Sequence, residues 1–346
     1  MLMQTGCPKF MREDAMIPYT PPKTAQRLPV IDFADAFSND PGKREAVAWE
    51  IHKIARDVGF FYLVNHGVPQ SLVDGQFDWA RRFFAAPDAV KRGVDMSLSP
   101  AGFGYERIGT QALDDGPTDL KEGFQFGTDL PSDHPYVQKG VLRYGHNLWP
   151  QELPGMRAHA QQYHAAMSVL SQRLLSIIAL SLQLPEDFFN FALGTPIATQ
   201  RMLHYPPQPA DAQHNQIGAG AHTDWGLVTI LAQDDIGGLE VRNADGDWVR
   251  ATPIPGSFVV NIGDLLQRWS NDIYHSNAHR VRNDNPAPRY SLPFFMDGDH
   301  AVTVSCLPSC CSDEHPARHA PCTIGDYLAQ KVQETFGAAS VLAAAS

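Results

Sequence analysis

Apolar residues recur at helical spacing in the first half of the chain and gather into short, turn-bounded runs in the second. Leu28–Phe33 reads as a short strand. Asn39-Asp40-Pro41 then pairs an N-cap with proline at the first helical position, and Val47, Ile51, Ile54 and Ala55 line one helical face behind it. Gly59 ends that helix. Phe60–Val64 follows as a buried strand, turned by Asn65-His66-Gly67, and a second helix is expected over Ser71–Ala85. Between residues 153 and 182, Leu170, Leu174, Ile178 and Leu182 form an apolar stripe that Ile177 widens and Pro185 stops, a core helix with no chemistry assigned to it. Residues 1–27 are polar and punctuated by Pro18, Pro21 and Pro22, the pattern of an arm. Residues 98–150 look irregular, and a loop region that long inside a compact chain points to function.

After about residue 198 the pattern changes to strands. Arg201–Tyr205, Thr229–Ala232, Leu239–Arg242, Trp248–Ala251, Ser257–Ile262, His279–Val281 and Arg289–Phe295 are separated by turn pairs such as Gly237-Gly238, Asp245-Gly246 and Asn285-Pro286. Strands this short and this regularly spaced suggest a β-sandwich or jelly-roll barrel, with the N-terminal helices packed outside it. The expected fold class is mainly β with flanking α-helices. With no repeat and no flexible linker, residues 28–346 read as a single domain: a helical half over 28–197, a jelly-roll core over about 198–305, and a C-terminal loop and helix over 306–346.

Composition narrows the possible partners. The 346 residues carry a formal net charge of −11 without any cluster of Lys and Arg, which argues against nucleic acid. No apolar run approaches the ~20 residues needed to span a bilayer, and the N-terminus shows no secretory signal pattern. Five cysteines in a chain of this size suggest reduced thiols and a cytoplasmic protein; a monomer or weak homo-oligomer is expected. Cys306, Cys310, Cys311 and Cys322 cluster with His315 and His319, but they lack the paired knuckles of a zinc site, so a surface loop is the better reading.

The candidate chemistry begins at Ala221-His222-Thr223-Asp224-Trp225. On a strand, residues i and i+2 share a face, so His222 and Asp224 would point the same way. An HxD pair alone is weak. His279 would complete a two-histidine, one-carboxylate facial triad, the donor set of non-haem Fe(II), with open positions left for chemistry; the bland alternative is a strand-end hydrogen-bond cluster. Arg289 and Ser291 are again i and i+2. A continuous strand from 279 to 289 would hold its ends roughly 33 Å apart. Asn283-Asp284-Asn285-Pro286 supplies a turn, so the second strand is expected to return beside the first and bring Arg289 within reach of the metal. A planar guanidinium suits the far carboxylate of a dicarboxylic 2-oxo acid, against the alternative of a structural ion pair. Ser291 would add a hydroxyl donor, and Tyr205 a phenol if its strand lies adjacent.

These segments resemble the isopenicillin N synthase-like family of Fe(II)- and 2-oxoglutarate-dependent oxygenases. The matching pieces are Leu28–Phe33, Gly59–Val68, Tyr205-Pro206-Pro207, Gly218–Asp224, Gln233–Val241, Val260–Asp264, Ser270–Val281 and Arg289–Phe295, spread over most of residues 28–330. The resemblance implies a double-stranded β-helix core, Fe(II) on His222, Asp224 and His279, and 2-oxoglutarate on Arg289 and Ser291. It also implies a last helix near Ile324–Phe336. Two positions depart from the pattern. Leu203 stands where plant members often carry asparagine, two residues before the tyrosine. Trp225 and Arg201 resemble a bacterial ethylene-forming branch, and both are candidates for the pocket or the core. Phe294 and Phe295 are expected to split between core and pocket. Phe103, Tyr105 and Phe124 are further candidates for substrate contact. His66, His204, His214 and His275 have no second metal to serve, and Asp264 is expected to order a turn. The activity implied is oxidation, chiefly hydroxylation, of a small organic substrate using O₂, with release of succinate and CO₂. The alternatives are a cosubstrate-free Fe(II) oxidase of the isopenicillin N synthase type and a non-catalytic ligand-binding β-barrel.

Overall fold

A computed structural model describes residues 27–110, 119–207, 217–283 and 285–336. All but the last residue of the proposed arm over 1–27, together with His214 and Asp284 of the expected turn, lie outside these residues.

Strand β1 (Val30–Asp32) leads into helix α1 (Pro41–Asp57), which starts as its sequence predicts. Asp40 caps it, its carboxylate accepting from the Gly42 amide at 2.9 Å, with Pro41 at the first helical position. Gly59 stops it in a left-handed conformation, and a Cβ there would meet the His275 carbonyl oxygen at 1.9 Å, so only glycine fits. Strand β2 (Phe60–Val64) and helices α2 (Gln70–Phe84) and α3 (Asp88–Arg92) come next. The stretch expected to be irregular contains strands β3 (Gly104–Glu106) and β4 (Glu122–Gly127), then the single turn α4 (Pro135–Gln138). Helix α5 (Met156–Ser181) carries the Leu170–Ile178 stripe into the core.

Strands β5 (Pro196–Tyr205), β6 (Ala219–His222), β7 (Val228–Gln233), β8 (Leu239–Arg242), β9 (Trp248–Arg250) and β10 (Phe258–Ile262) follow. The chain continues through helix α6 (Asp264–Trp269), β11 (His279–Val281), β12 (Arg289–Asp299), the small ribbon β13 (Thr303–Val304) with β14 (Cys322–Thr323), and helix α7 (Ile324–Phe336). They build a major sheet in the order β1-β2-β10-β7-β12-β5-β4-β3 and a minor sheet in the order β6-β11-β8-β9. Two facing sheets with flanking helices make a jelly-roll core. Four of the eight major strands come from the half read as helical, because β1, β2, β3 and β4 extend the sheet at both ends.

The expected pairing of the two strands fails. β12 does not return beside β11: both edges of β11 are taken, by β6 and β8, so the turn carries the chain across to the major sheet, where β12 lies between β5 and β7. Arg289 therefore faces the minor sheet from the opposite wall.

The major sheet has two apolar faces of different character. Its outer face packs on the helices through Phe61, Phe124, Phe126, Ile230, Val260, Leu292 and Phe294, joined by α5. Its inner face contributes Phe60, Tyr62, Leu203, Tyr205 and Val259 to a smaller cluster with Val241 and Val281 of the minor sheet. This sidedness corrects three expected substrate contacts. Phe124 packs against Phe83 and Trp149 on the helix side, Tyr105 donates to Glu122 Oε2 at 2.6 Å, and Phe103 is fully buried beneath Gly127. The period of two along β4 sends Gln125, not Phe124, into the space between the sheets. Phe124→Ala should destabilise the protein by about 3–5 kcal/mol, the cost of a buried aromatic. Urea unfolding measures it, and a wild-type midpoint would return Phe124 to the pocket.

Candidate active site

The cavity opens between the two sheets. His222 ends β6 and His279 begins β11, and these two residues are register partners in the minor sheet. Their rings lie 4.3 Å apart. His222 Nδ1 is 2.8 Å from the Gly220 carbonyl oxygen, which can only accept, so the proton sits on Nδ1 and Nε2 presents a lone pair. His279 Nδ1 faces the Asn277 carbonyl in the same sense at 3.4 Å, while Phe60 packs on its ring.

Asp224 is reached differently from the expectation. The strand stops at His222, so the i, i+2 rule does not place the carboxylate. Residues 224–227 instead bend across the start of α6: the Asp224 carbonyl accepts from the Asp264 amide at 2.8 Å, and that of Leu227 from Gly263 at 2.9 Å. A Cβ on Gly263 would meet the Gly226 carbonyl oxygen at 2.2 Å, so glycine is required for that close approach.

The bend brings Asp224 Oδ1 to 3.9 Å from His222 Nε2 and 3.7 Å from His279 Nε2. These gaps are too long for hydrogen bonds, and all three donor atoms lie within 4.8 Å of one another. The far oxygen, Oδ2, accepts from Asn261 Nδ2 at 2.8 Å. Burial, and the proximity of His279, push the His222 pKa down and keep that ring neutral. Burial opposes the charge of Asp224, but the two histidines, Thr229 and Asn261 outweigh it and hold its pKa below the usual range. Two imidazoles and one carboxylate, with donor atoms converging on unshared space, can hold a divalent metal ion. Among the described residues no other group of three or more His, Cys, Asp or Glu side chains converges in this way. The four described cysteines are free thiols in and beside the 306–322 loop.

Across the cavity, Arg289 pairs in register with Tyr205, and its guanidinium carbon stands 4.8 Å from the tyrosine ring. It is 1% exposed. Nε donates to the Gly237 carbonyl and Nη1 to Ser291 Oγ at 3.2 Å, while Nη2 is buried with no partner among the described residues. A buried charged donor left unpaired costs several kcal/mol, so the arrangement calls for an anionic acceptor. A ligand carboxylate fits it.

Side chains at 289, 291, 293, 295 and 297 of β12 all line this cavity. Trp225, Arg201 and Phe295 line it as well, whereas Phe294 is buried on the helix side. Sequence reasoning missed Asp297, Arg143, Lys121, Gln125 and Asn261, and Leu328 and Val332 of α7, which complete the walls. Alternation along β12, carried three steps beyond Ser291, would have found Asp297; Arg143 sits in a loop that no periodicity places. Arg201 is ion-paired to Glu106, and Lys121 to Asp119. Burial raises the Asp297 pKa to about 7, with Arg143 lowering it and Asp224 raising it.

A jelly roll with a three-donor metal pocket facing a buried guanidinium fits a mononuclear metal oxygenase. Comparison with known proteins makes the class specific. Residues 28–152 match the N-terminal model of the non-haem dioxygenases in morphine synthesis, and residues 196–298 match the 2-oxoglutarate–Fe(II) oxygenase superfamily. The chain is 37% identical to the 2-oxoglutarate-Fe(II) type oxidoreductase hxnY of Emericella nidulans, over 90% of this chain and 91% of that protein. It is similar in structure to a full-length Neurospora crassa protein crystallised in complex with alpha-KG, with a TM-score of 0.80, 28% identity, and coverage of 89% of this chain and 96% of the other. The same Neurospora crassa protein has also been crystallised with alpha-KG and thymine, a structure matched at a TM-score of 0.78 and 27% identity over the same shares. The chain belongs to the 2-oxoglutarate–Fe(II) oxygenase superfamily and is a 2-oxoglutarate-dependent non-haem iron dioxygenase.

The hydrogen bond from Asn261 should matter to metal affinity, since it orients the Asp224 carboxylate. Asn261→Ala should weaken Co(II) binding, followed by its visible absorption bands, by about 10–100-fold. Unchanged affinity would remove Asn261 from the metal's support.

Proposed function

We propose that Nε2 of His222, Nε2 of His279 and a carboxylate oxygen of Asp224 hold the Fe(II), and that Arg289 and Ser291 hold the far carboxylate of 2-oxoglutarate. The observation carrying this reading is the buried, unpaired Nη2 of Arg289, opposite a cluster of converging metal donors in one cavity. When bound, iron and 2-oxoglutarate supply a two-electron oxidation in which O₂ gives one oxygen atom to the substrate and one to succinate, with loss of CO₂. The residues of the chain bind, orient and exclude water. Tyr205 supports the guanidinium through the face of its ring rather than by a hydrogen bond, and Leu203, the register partner of Ser291, gives that end an apolar wall.

The substrate is a small organic molecule held between Trp225 and Phe295, and hydroxylation is the outcome we favour. The similarity to the Neurospora crassa protein crystallised with thymine supports a compact ring over a polymer. The free thiols support a reducing compartment such as the cytoplasm, and no described helix is long and apolar enough to cross a membrane. A monomer or a weak homo-oligomer fits the same reading.

Release of succinate from 2-oxoglutarate tests the assignment. Asp224→Ala should abolish it, and turnover equal to wild type would sink the proposal. Arg289→Lys keeps the charge but loses the planar fork, so KM for 2-oxoglutarate should rise by roughly 10–100-fold with little change in metal affinity. O₂ uptake that ignores 2-oxoglutarate would favour a cosubstrate-free oxidase instead.

A further inference from the structure

The cavity has a second polar end that neither the metal nor the cosubstrate uses. Eight residues beyond Arg289 on the same face of β12, and at most about 26 Å from it along the strand, stands Asp297. Its carboxylate is seated against the loop that bears Asp224 and Trp225. A Cβ on Gly226 would come within 1.8 Å of Asp297 Oδ1, so the absence of a side chain at 226 is what admits it. No described residue donates a hydrogen bond to that carboxylate.

Arg143 faces the same end of the cavity. Its backbone is left-handed, with φ at 69°, a conformation that a long side chain rarely adopts. Two bonds hold it there: the Arg143 amide donates to the Ala101 carbonyl at 3.2 Å and Nη1 to the Gly102 carbonyl at 2.7 Å. The carbonyls of Ala101 and Gly102 thus orient the guanidinium and hold the backbone in that conformation.

The neighbouring charges are already matched. Arg201 is bound to Glu106, and Lys121 to Asp119. Asp297 and Arg143 remain as an acceptor and a donor group, and Trp225, Phe295, Leu142 and Leu328 line the same cavity. Arg143 interacts electrostatically with Asp297, so an anionic substrate would meet an acidic group beside the cation, and a hydrocarbon would strand both polar groups.

We propose that Asp297 and Arg143 form a donor–acceptor clamp that selects a neutral, planar ring carrying an N–H beside a carbonyl, the edge of a cyclic amide or imide. The N–H donates to Asp297 and the carbonyl accepts from Arg143, while Trp225 and Phe295 cover the ring faces. Asp297 is then a specificity-determining residue for the oxidation, and its partner is a nitrogen heterocycle. The inference rests on the proposed placement of iron and 2-oxoglutarate, which leaves this end free for the substrate.

The test is binding, read by tryptophan fluorescence and calorimetry on anaerobic protein loaded with Fe(II) and 2-oxoglutarate. The probes are 2-pyridone and uracil, N-methyl-2-pyridone, benzoate, and L-phenylalanine. The lactam and imide should bind, and N-methylation should weaken 2-pyridone by roughly 10–100-fold. Asp297→Ala should lose a similar factor for 2-pyridone and none for its N-methyl form, and Arg143→Met should weaken both. The isosteric Asp297→Asn, which preserves packing against Gly226, should lose about tenfold for 2-pyridone. Affinities for Co(II) and for 2-oxoglutarate should stay within about twofold of wild type in all three variants, and their loss from wild type itself would count against the proposed function instead. With metal and cosubstrate bound, three results would overturn the clamp: no binding of either heterocycle at millimolar concentration, preference for benzoate or L-phenylalanine, or discrimination by N-methylation that survives in Asp297→Ala.

Discussion

The period of two along β12 is the constraint on which the rest of the structure depends. Consecutive residues of a strand point to opposite faces. Tyr290, Leu292, Phe294 and Met296 therefore lie on the helix side, and the odd-numbered residues from Arg289 to Asp297 line the cavity. One strand thus separates a dry core from a binding wall without any break in regular structure. It also orders that wall, with the carboxylate-binding guanidinium at one end, Phe295 towards the other, and Asp297 last. A one-residue slip would bury Asp297 and Arg289 among the helices, so apolar burial and polar placement enforce the same register.

Much of this was legible in the sequence, and the limits have physical causes. Asp40-Pro41 and Gly59 bracketed α1 because caps and left-handed turns are local chemistry. The strand pattern after residue 198 gave the sheet-rich architecture because alternation needs no long-range information. What failed was pairing. The turn between β11 and β12 has the composition of a hairpin, yet β11 already has a neighbour on each edge, and only the whole topology reveals that. Asp224 was paired with His222 through a rule for strands, but its position is dictated by backbone carbonyls capping α6. Phe124 was drawn to the pocket by its aromatic character in an irregular stretch, whereas its strand is long and buried on both faces, with its rings turned to the helices. Arg143 and Lys121 come from segments whose conformation depends on what they pack against, and nothing in their own sequence announces them.

The electrostatics follow from the same separation. Three ionisable groups converge within 4.8 Å, and their mutual influence leaves His222 neutral and Asp224 charged. A neutral imidazole and a charged carboxylate are the forms that offer lone pairs to a divalent ion. Arg289 is poised in the complementary way. Its charge is buried with one donor unpaired, a cost the fold carries until a carboxylate comes. Both defects lie in one cavity, so the metal and its cosubstrate each remove a penalty that packing alone cannot.

Asp264 shows how the two metal-binding segments are kept in step. It was expected only to order a turn, and it does begin α6. Its carboxylate also accepts from Thr223 Oγ1 at 3.2 Å and Ser276 Oγ at 2.7 Å. Thr223 lies between His222 and Asp224, and Ser276 three residues before His279, so one half-buried carboxylate ties both ligand-bearing segments to a single helix start. The same group accepts from Tyr327 Oη at 3.0 Å, on the helix whose Leu328 and Val332 line the cavity. The wall that α7 supplies is therefore anchored to the support of the metal donors. A displacement of α7 would be felt by Thr223 and Ser276 through Asp264, and a repositioning of the ligands would be felt by that wall. The α7 wall of the cavity and the two ligand-bearing segments are thus joined by hydrogen bonds to one side chain.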